Sequence, residues 1–201
     1  GARHLAAFHG LAERVAADLD PARAAAAAAD SVATVDAVFA DPHIAAIVIA
    51  APTAAHAALA WRAVVSGKHF LCEKPFGADA ASARRIAAEA CRRGAIGRVG
   101  YLYRFAPAIR AARAALGRLG RVETAHFHIA APGDRAAWKH RRETGGGVAN
   151  ELVSHMLDLA AWFLGPMRDC AVVSKERARP RRLIGGVSVA ADADDRVRAR
   201  L

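Results

Sequence analysis

Glu151 and His155 stand four residues apart in the run GGGVANELVSHMLD, from Gly145 to Asp158. On a helix that spacing lays both side chains on one face. A carboxylate beside an imidazole holds the ring in one tautomer and tunes it for proton transfer. The same pair also fits a helix-surface ion pair behind a glycine loop. A second run moves the balance toward chemistry: Glu73-Lys74-Pro75 closes an apolar, strand-like segment far upstream. Pro75 biases Lys74 away from helical geometry, so a lysine held extended at a strand end can point into a crevice. A surface lysine is the plain alternative.

Two more runs have the same placement. Asp18-Leu19-Asp20-Pro21 follows a short strand. An acid at that point of a doubly wound sheet can accept hydrogen bonds from the adenosine ribose hydroxyls, and it repels a ribose phosphate. Helix capping explains the same Asp-before-Pro pattern. Ala51-Pro52-Thr53 follows an Ile- and Val-rich run, with His56 one turn into the next helix. The carboxyl ends of parallel strands are where open α/β sheets bind ligands.

The elements that must carry these residues alternate through the first half. Helical patterns span Arg3–His9, Pro21–Ala29, Val35–Ala40, Thr53–Ser66 and Asp79–Arg93, with Pro21 at a favoured first turn and Gly67 as a stop. Strand patterns span Arg14–Ala17, Ile44–Ala50, His69–Cys72 and Arg98–Tyr103, the second apolar enough for burial on both faces. Such alternation implies parallel strands with helical crossovers. After Gly120 strands predominate: a long one over Val122–Ala130, then Cys170–Ser174, Val187–Ala190 and Arg196–Leu201. Between them lie a polar loop through Lys139 and Arg142 and the GGG helix, closed by Gly165-Pro166. The run Lys175–Arg182 reads as a loop. The expected fold class is α/β, a Rossmann-like parallel sheet over residues 1–119, followed by an α+β domain over 120–201 with an open, mostly antiparallel sheet.

Composition narrows the function classes. The chain has 201 residues, 54% of them hydrophobic, and a formal charge of +10. The excess is arginine scattered through alanine-rich helices, and only 6% of residues are aromatic, so no stacking platform for nucleic acid emerges. No apolar run approaches the roughly 18–20 residues that span a bilayer. Cys72, Cys91 and Cys170 are odd in number and form no CxxC, which argues against a disulfide framework and a cysteine zinc site and fits the cytoplasm.

Taken in order, these runs resemble the Gfo/Idh/MocA family of NAD(P)-dependent oxidoreductases. The resemblance covers almost the whole chain: Gly1 to His4 as the end of the dinucleotide loop, then Asp18 to Pro21, Ala51-Pro52-Thr53 with His56, Glu73-Lys74-Pro75, Gly100-Tyr101 to Arg104-Phe105, and the GGG helix with Glu151, His155 and Asp158. It implies NAD as cofactor, with NADP disfavoured by Asp18, and hydride transfer at a secondary hydroxyl of a sugar, sugar derivative or inositol. It implies Gly1, His4, Asp18, Ala51, Pro52, Thr53, His56, Glu73, Lys74 and Arg104 around the cofactor. Lys74, His155 and Glu151 would be catalytic, with Trp138, Arg142 and Asp158 toward the substrate. His155 would take the hydroxyl proton while Glu151 orients the ring and Lys74 hydrogen-bonds the oxygen; the parts of Lys74 and His155 can also be exchanged. The open sheet would serve homo-oligomerisation. The family usually has Asp where this chain has Glu151. Its first strand, most of its glycine loop and part of its C-terminal sheet have no counterpart here, so the chain reads as truncated at both ends.

Three other readings compete. His126 and His128 alternate on the expected long strand and share a face; with Glu151 and His155 they could bind a metal, although strand histidines facing a polar cleft explain the pattern better, and no metal is expected. An NAD-dependent glycosidase of the same fold and a non-catalytic sugar- or nucleotide-binding regulator are the others. Lys74 and His155 together favour an enzyme over the regulator. Substrate specificity is expected in the loop Pro132–Thr144.

Overall fold

The computed structural model describes residues 1–77, 79–131, 136–177 and 179–201. The chain divides into two units, Gly1–Val99 and Gly100–Leu201.

In the first unit helices begin where side chains can take up free main-chain N–H groups. Asp20 caps α2 (Pro21–Ala25), Thr34 caps α3 (Val35–Ala40) and Asp79 caps α5 (Ala80–Arg93). Gly94 closes α5 at φ +68, a left-handed conformation that favours glycine. The helix α1 (Ala2–Ala7) opens the chain and α4 (Thr53–Val65) lies between the central strands. All strand pairs are parallel: β1 (Val15–Ala16) with β2 (Ser31–Val32), and β3 (Ala46–Ile49) with β4 (His69–Cys72) and β4 with β5 (Gly97–Val99). The first unit is therefore the expected Rossmann-type α/β arrangement, its strands divided among the described residues into ladders of two and three.

The core of this unit packs Ile49, Phe70 and Cys72 of the sheet against Ala60, Ala63 and Val64 of α4 and Ile86 and Ala90 of α5. Small alanines let α4 approach the strands closely, which is how an alanine-rich chain still builds a dense core. The run expected to be buried on both faces is covered on one. Ile47 and Ile49 face the core, while Ala46 and Val48 are exposed on the other side, because β3 meets α4 on the core side only. The expected strand Arg98–Tyr103 is β5 only to Val99; a 3-10 turn over Leu102–Phe105 replaces the rest.

In the second unit the 3-10 turn leads into α6 (Pro107–Ala115), with proline at its first turn. Arg113 on α6 donates to the Trp162 carbonyl at 3.0 Å and stacks over the Trp162 ring at 4.4 Å. Trp162 lies on α7 (Ser154–Leu164), so α6 packs within this unit, which starts at Gly100, twenty residues before the change in rhythm at Gly120. Val122–Ala130, expected as a long strand, forms no regular element and joins no ladder among the described residues. Within it, Phe127 packs edge-on against Phe163 of α7 at 6.2 Å.

The remaining strands are antiparallel, as expected. β6 (Ala171–Glu176) pairs with β9 (Arg196–Arg200), and β7 (Arg181–Ile184) pairs with β8 (Val187–Ala190). The sequence reading made Lys175–Arg182 a loop; instead its ends are strand. Gly185 and Gly186, at φ +57 and +84, turn β7 into β8, the two positive-φ positions a tight hairpin needs.

Candidate functional site

In the first unit every expected cofactor residue lies in α1 or near the carboxyl end of a strand. Asp18, two residues past β1, is exposed. One of its carboxylate oxygens accepts the Asp20 N–H at 2.9 Å, which fixes the side chain in an Asx turn. The other oxygen has no partner among the described residues, so an exposed, oriented acceptor stands just past the carboxyl end of β1. Gly1 opens α1 with nothing near the position of a Cβ. His4, on α1, reaches across to Glu73, its Nε2 at 2.8 Å from Glu73 Oε1. The other Glu73 oxygen accepts the Lys74 N–H at 3.3 Å. The carboxylate thus grips its own turn, and Lys74 follows it half-buried.

On the neighbouring turn Pro52 is exposed and stands ahead of α4, and Thr53 is buried at the helix start. His56 was expected beside the cofactor. It is instead fully buried, with both ring nitrogens 2.8 Å from main-chain carbonyls, those of Ala51 and Pro75. No face of the ring is left for a ligand, so His56 acts on the turns themselves. Cys72, at the end of β4, is buried, and burial followed by the Glu73 charge pushes its thiol up to about 12.

The second unit builds a separate cluster around α7. His155 is buried and lies between the rings of Tyr103 and Tyr101, edge-on at 4.7 and 6.1 Å. Burial, and secondarily the Asp158 charge, raises the Tyr101 phenol above its ordinary range. Asp158 was expected toward substrate, but Arg104 engages both its oxygens, at 2.8 Å from Nε and 2.5 Å from Nη2. Arg104 also lies 5.8 Å from the Trp162 ring centre. The pair raises the guanidinium further and ties the 3-10 turn to α7. Tyr101 and Tyr103 were not singled out as site residues; the aromatic spacing Tyr-x-Tyr-Arg was the available signal.

Glu151 lies in a π-helical turn, Ala149–Val153, directly before α7. Such a turn bonds i to i+5, so the four-residue spacing to His155 no longer has the α-helical meaning on which the sequence argument rested. Lys139 holds Glu151 through an ion pair of 2.8 Å. The pair spans twelve residues and no local periodicity links them, so nothing in the sequence marks Lys139 as a site residue. The glycines explain how it is made. Gly146 and Gly147 donate to the carbonyls of Arg141 and Lys139, each at 2.9 Å, folding the glycine turn back over the 3-10 turn Ala137–His140. Trp138 accepts the Thr144 hydroxyl on its carbonyl at 2.6 Å, and its ring lies 5.5 Å from the Lys139 ammonium. Arg142, exposed, is tied through its main-chain N–H to Asp192 at 2.7 Å. The expected specificity loop begins at residues 132–135, outside the described residues. His126 and His128 are both exposed, and the described residues hold no group of three candidate metal ligands.

Comparison with known proteins covers both units. A model of the oxidoreductase family with an NAD-binding Rossmann fold matches residues 2–101, and one of the GFO/IDH/MocA C-terminal domain matches residues 109–201. The inositol 2-dehydrogenase of Rhizobium meliloti (strain 1021) is 35% identical over 154 residues, 74% of this chain and 46% of that protein. GenD2 from gentamicin A biosynthesis, solved in complex with NAD, is 26% identical with a TM-score of 0.74, covering 92% of this chain and 53% of its own. Levoglucosan dehydrogenase, solved with NADH and L-sorbose, shares the fold at 24% identity and a TM-score of 0.79, covering 93% of this chain and 54% of its own. The chain spans about half the length of the curated relatives it matches.

Proposed function

This chain belongs to the Gfo/Idh/MocA family of oxidoreductases, and from that premise we propose that the protein transfers a hydride between NAD and a secondary hydroxyl of a sugar, sugar derivative or inositol. The observation that carries this reading is the set Asp18, Ala51-Pro52-Thr53 and Glu73-Lys74-Pro75, all at carboxyl ends of strands in the unit that matches the NAD-binding model. The residues present fit NAD at its ribose end, where Asp18 offers an oriented acceptor and no arginine in the Leu19-Asp20-Pro21 turn welcomes a 2′-phosphate. When bound, NAD supplies the hydride chemistry.

The chain's own residues handle the proton and the charge. His155, buried between two tyrosines, takes the hydroxyl proton. Lys74, at the end of β4, hydrogen-bonds the reacting substrate and stabilises the negative charge that develops there. Glu151, paired with Lys139, supplies the field that favours the charged imidazole. Gly1 and His4 belong to the cofactor side, His4 through Glu73. Trp138 and Arg142 belong to the substrate side, while Arg104 and Asp158 together brace the helix that presents His155. The exposed apolar residues Val172, Val173, Leu183 and Val187 of the second unit's sheets suit homo-oligomerisation, and three free thiols suit the cytoplasm. Among the described residues no helix is long and apolar enough to cross a membrane.

The test is NADH formation, followed by absorbance, with a panel of sugars and inositols and the protein that carries this chain. NAD should outperform NADP by on the order of tenfold, the cost of one uncompensated like-charge contact. Asp18→Ala should erase that preference. No turnover anywhere in the panel, or NADP equal to NAD, overturns the reading.

A further inference from the structure

His56 is buried, and both of its ring nitrogens stand against main-chain carbonyls. It is 1% exposed, and its Nε2 and Nδ1 each stand 2.8 Å from a carbonyl oxygen, Ala51 on one side and Pro75 on the other. A carbonyl oxygen only accepts, so whichever ring nitrogen carries the proton donates to the turn it faces, and the ring closes against the carbonyl of the other turn. From this geometry we infer that His56 is a positioning residue, a two-sided clamp that sets the spacing between the Pro52–Thr53 turn and Lys74.

The clamp lies where the sheet stops helping. The β3–β4 register ends at Ile49 opposite Cys72, and the last main-chain bond between these chain segments runs from the Glu73 N–H to the Ile49 carbonyl at 2.9 Å. Beyond it the chain leaves the ladder on both sides, toward Ala51 and toward Lys74. Pro75 has no N–H of its own, so its carbonyl is the group through which this peptide can be held, and it directly follows Lys74. Ala51 in turn directly precedes Pro52. His56, one turn into α4, therefore joins the two turns across nineteen residues of sequence, in a site too buried for water to take its place.

The clamp itself stands on this geometry; its meaning for catalysis rests on the hydride-transfer reading above. A lysine that must meet a substrate oxygen at hydrogen-bond distance loses effect when its strand end drifts by an ångström. The fold does not depend on the clamp alone, since Phe76, just past Pro75, stacks on Phe70 at 5.8 Å and holds the segment down.

The test is nuclear magnetic resonance on this chain, labelled with nitrogen-15 and carbon-13. In the unaltered protein a His56 ring N–H proton should be visible and protected from exchange. A His56 ring whose N–H exchanges as fast as a solvent-exposed histidine's overturns the clamp. His56→Leu keeps apolar bulk and removes both ring nitrogens, while His56→Gln keeps one donor group. The amide and side-chain resonances of Lys74 and the amide of Thr53 should move strongly in the leucine variant and less in the glutamine variant, with Val15 and Val32 unmoved. Lys74 resonances that stay in place in both variants reduce His56 to packing. None of these readouts uses NAD or substrate, so absent turnover would sink the dehydrogenase reading and leave the clamp, and the reverse.

Discussion

Gly146→Ala is the sharpest perturbation of the second unit. A Cβ built on Gly146 comes 2.5 Å from the Lys139 carbonyl carbon and 2.7 Å from the Arg141 carbonyl oxygen, with the Lys139 oxygen closer still. Comfortable carbon contacts lie near 3.5–4.0 Å, so something must retreat by roughly an ångström. All three obstructing atoms are main chain, and no rotamer change relieves them. The retreat also pulls apart the two 2.9 Å bonds that Gly146 and Gly147 donate to these same carbonyls. Overpacking of this kind costs about 1–3 kcal/mol, and each weakened hydrogen bond adds about 0.5–1.5 kcal/mol. The sum is about 2–6 kcal/mol, and at about 4–8 °C per kcal/mol for a unit near a hundred residues the melt should fall by roughly 10 °C or more. Circular dichroism during heating measures it. Gly117→Ala is the control, because nothing lies within 4 Å of that Cβ and its φ is ordinary. A Gly146→Ala melt within about a degree of the parent would refute the argument that the glycine turn is there for close approach.

Three further outcomes follow from particular contacts. In the protein that carries this chain, His155→Ala should lower turnover about a hundredfold or more with little change in NAD affinity, and Glu151→Gln should do less because its shape survives; unchanged turnover in His155→Ala removes the proposed base. Cys91 and Cys170 are exposed while the Cys72 thiol is buried and raised to about 12, so a thiol reagent at pH 8 should modify two cysteines in the folded chain and the third only in denaturant. Rapid modification of all three refutes that burial. Asp30 is held down to about 2 from its ordinary 3.8, chiefly by its hydrogen bonds with Arg14. A carboxyl depressed by folding stabilises above its unfolded value and loses that contribution as pH falls through the folded one. The Arg14–Asp30 share should therefore vanish between about pH 4 and pH 2, and Asp30→Asn should flatten that part of an acid-unfolding curve; an unaltered curve counts against it.

Local chemistry was legible in the chain itself wherever the determining interactions are short-range. Asp20 before Pro21, Gly94 after Arg93 and the apolar run ending at Ile49 each set an element from neighbours in sequence. The alternation of strands and helices made the parallel first unit readable, and the ordered motifs pointed to the family. Where contacts span distant residues, the tertiary structure decided. Glu151 meets Lys139 because Gly146 lets two turns touch at main-chain distance, and a π turn displaces the helical phase that suggested a simple Glu–His pair. Asp158 is occupied by Arg104, fifty-four residues away. His56 looked like a ligand residue from its place after a strand and proved to be a buried link between two turns. Residue type states which bonds a side chain can make. Burial and the carbonyls that happen to face it determine which of them it makes.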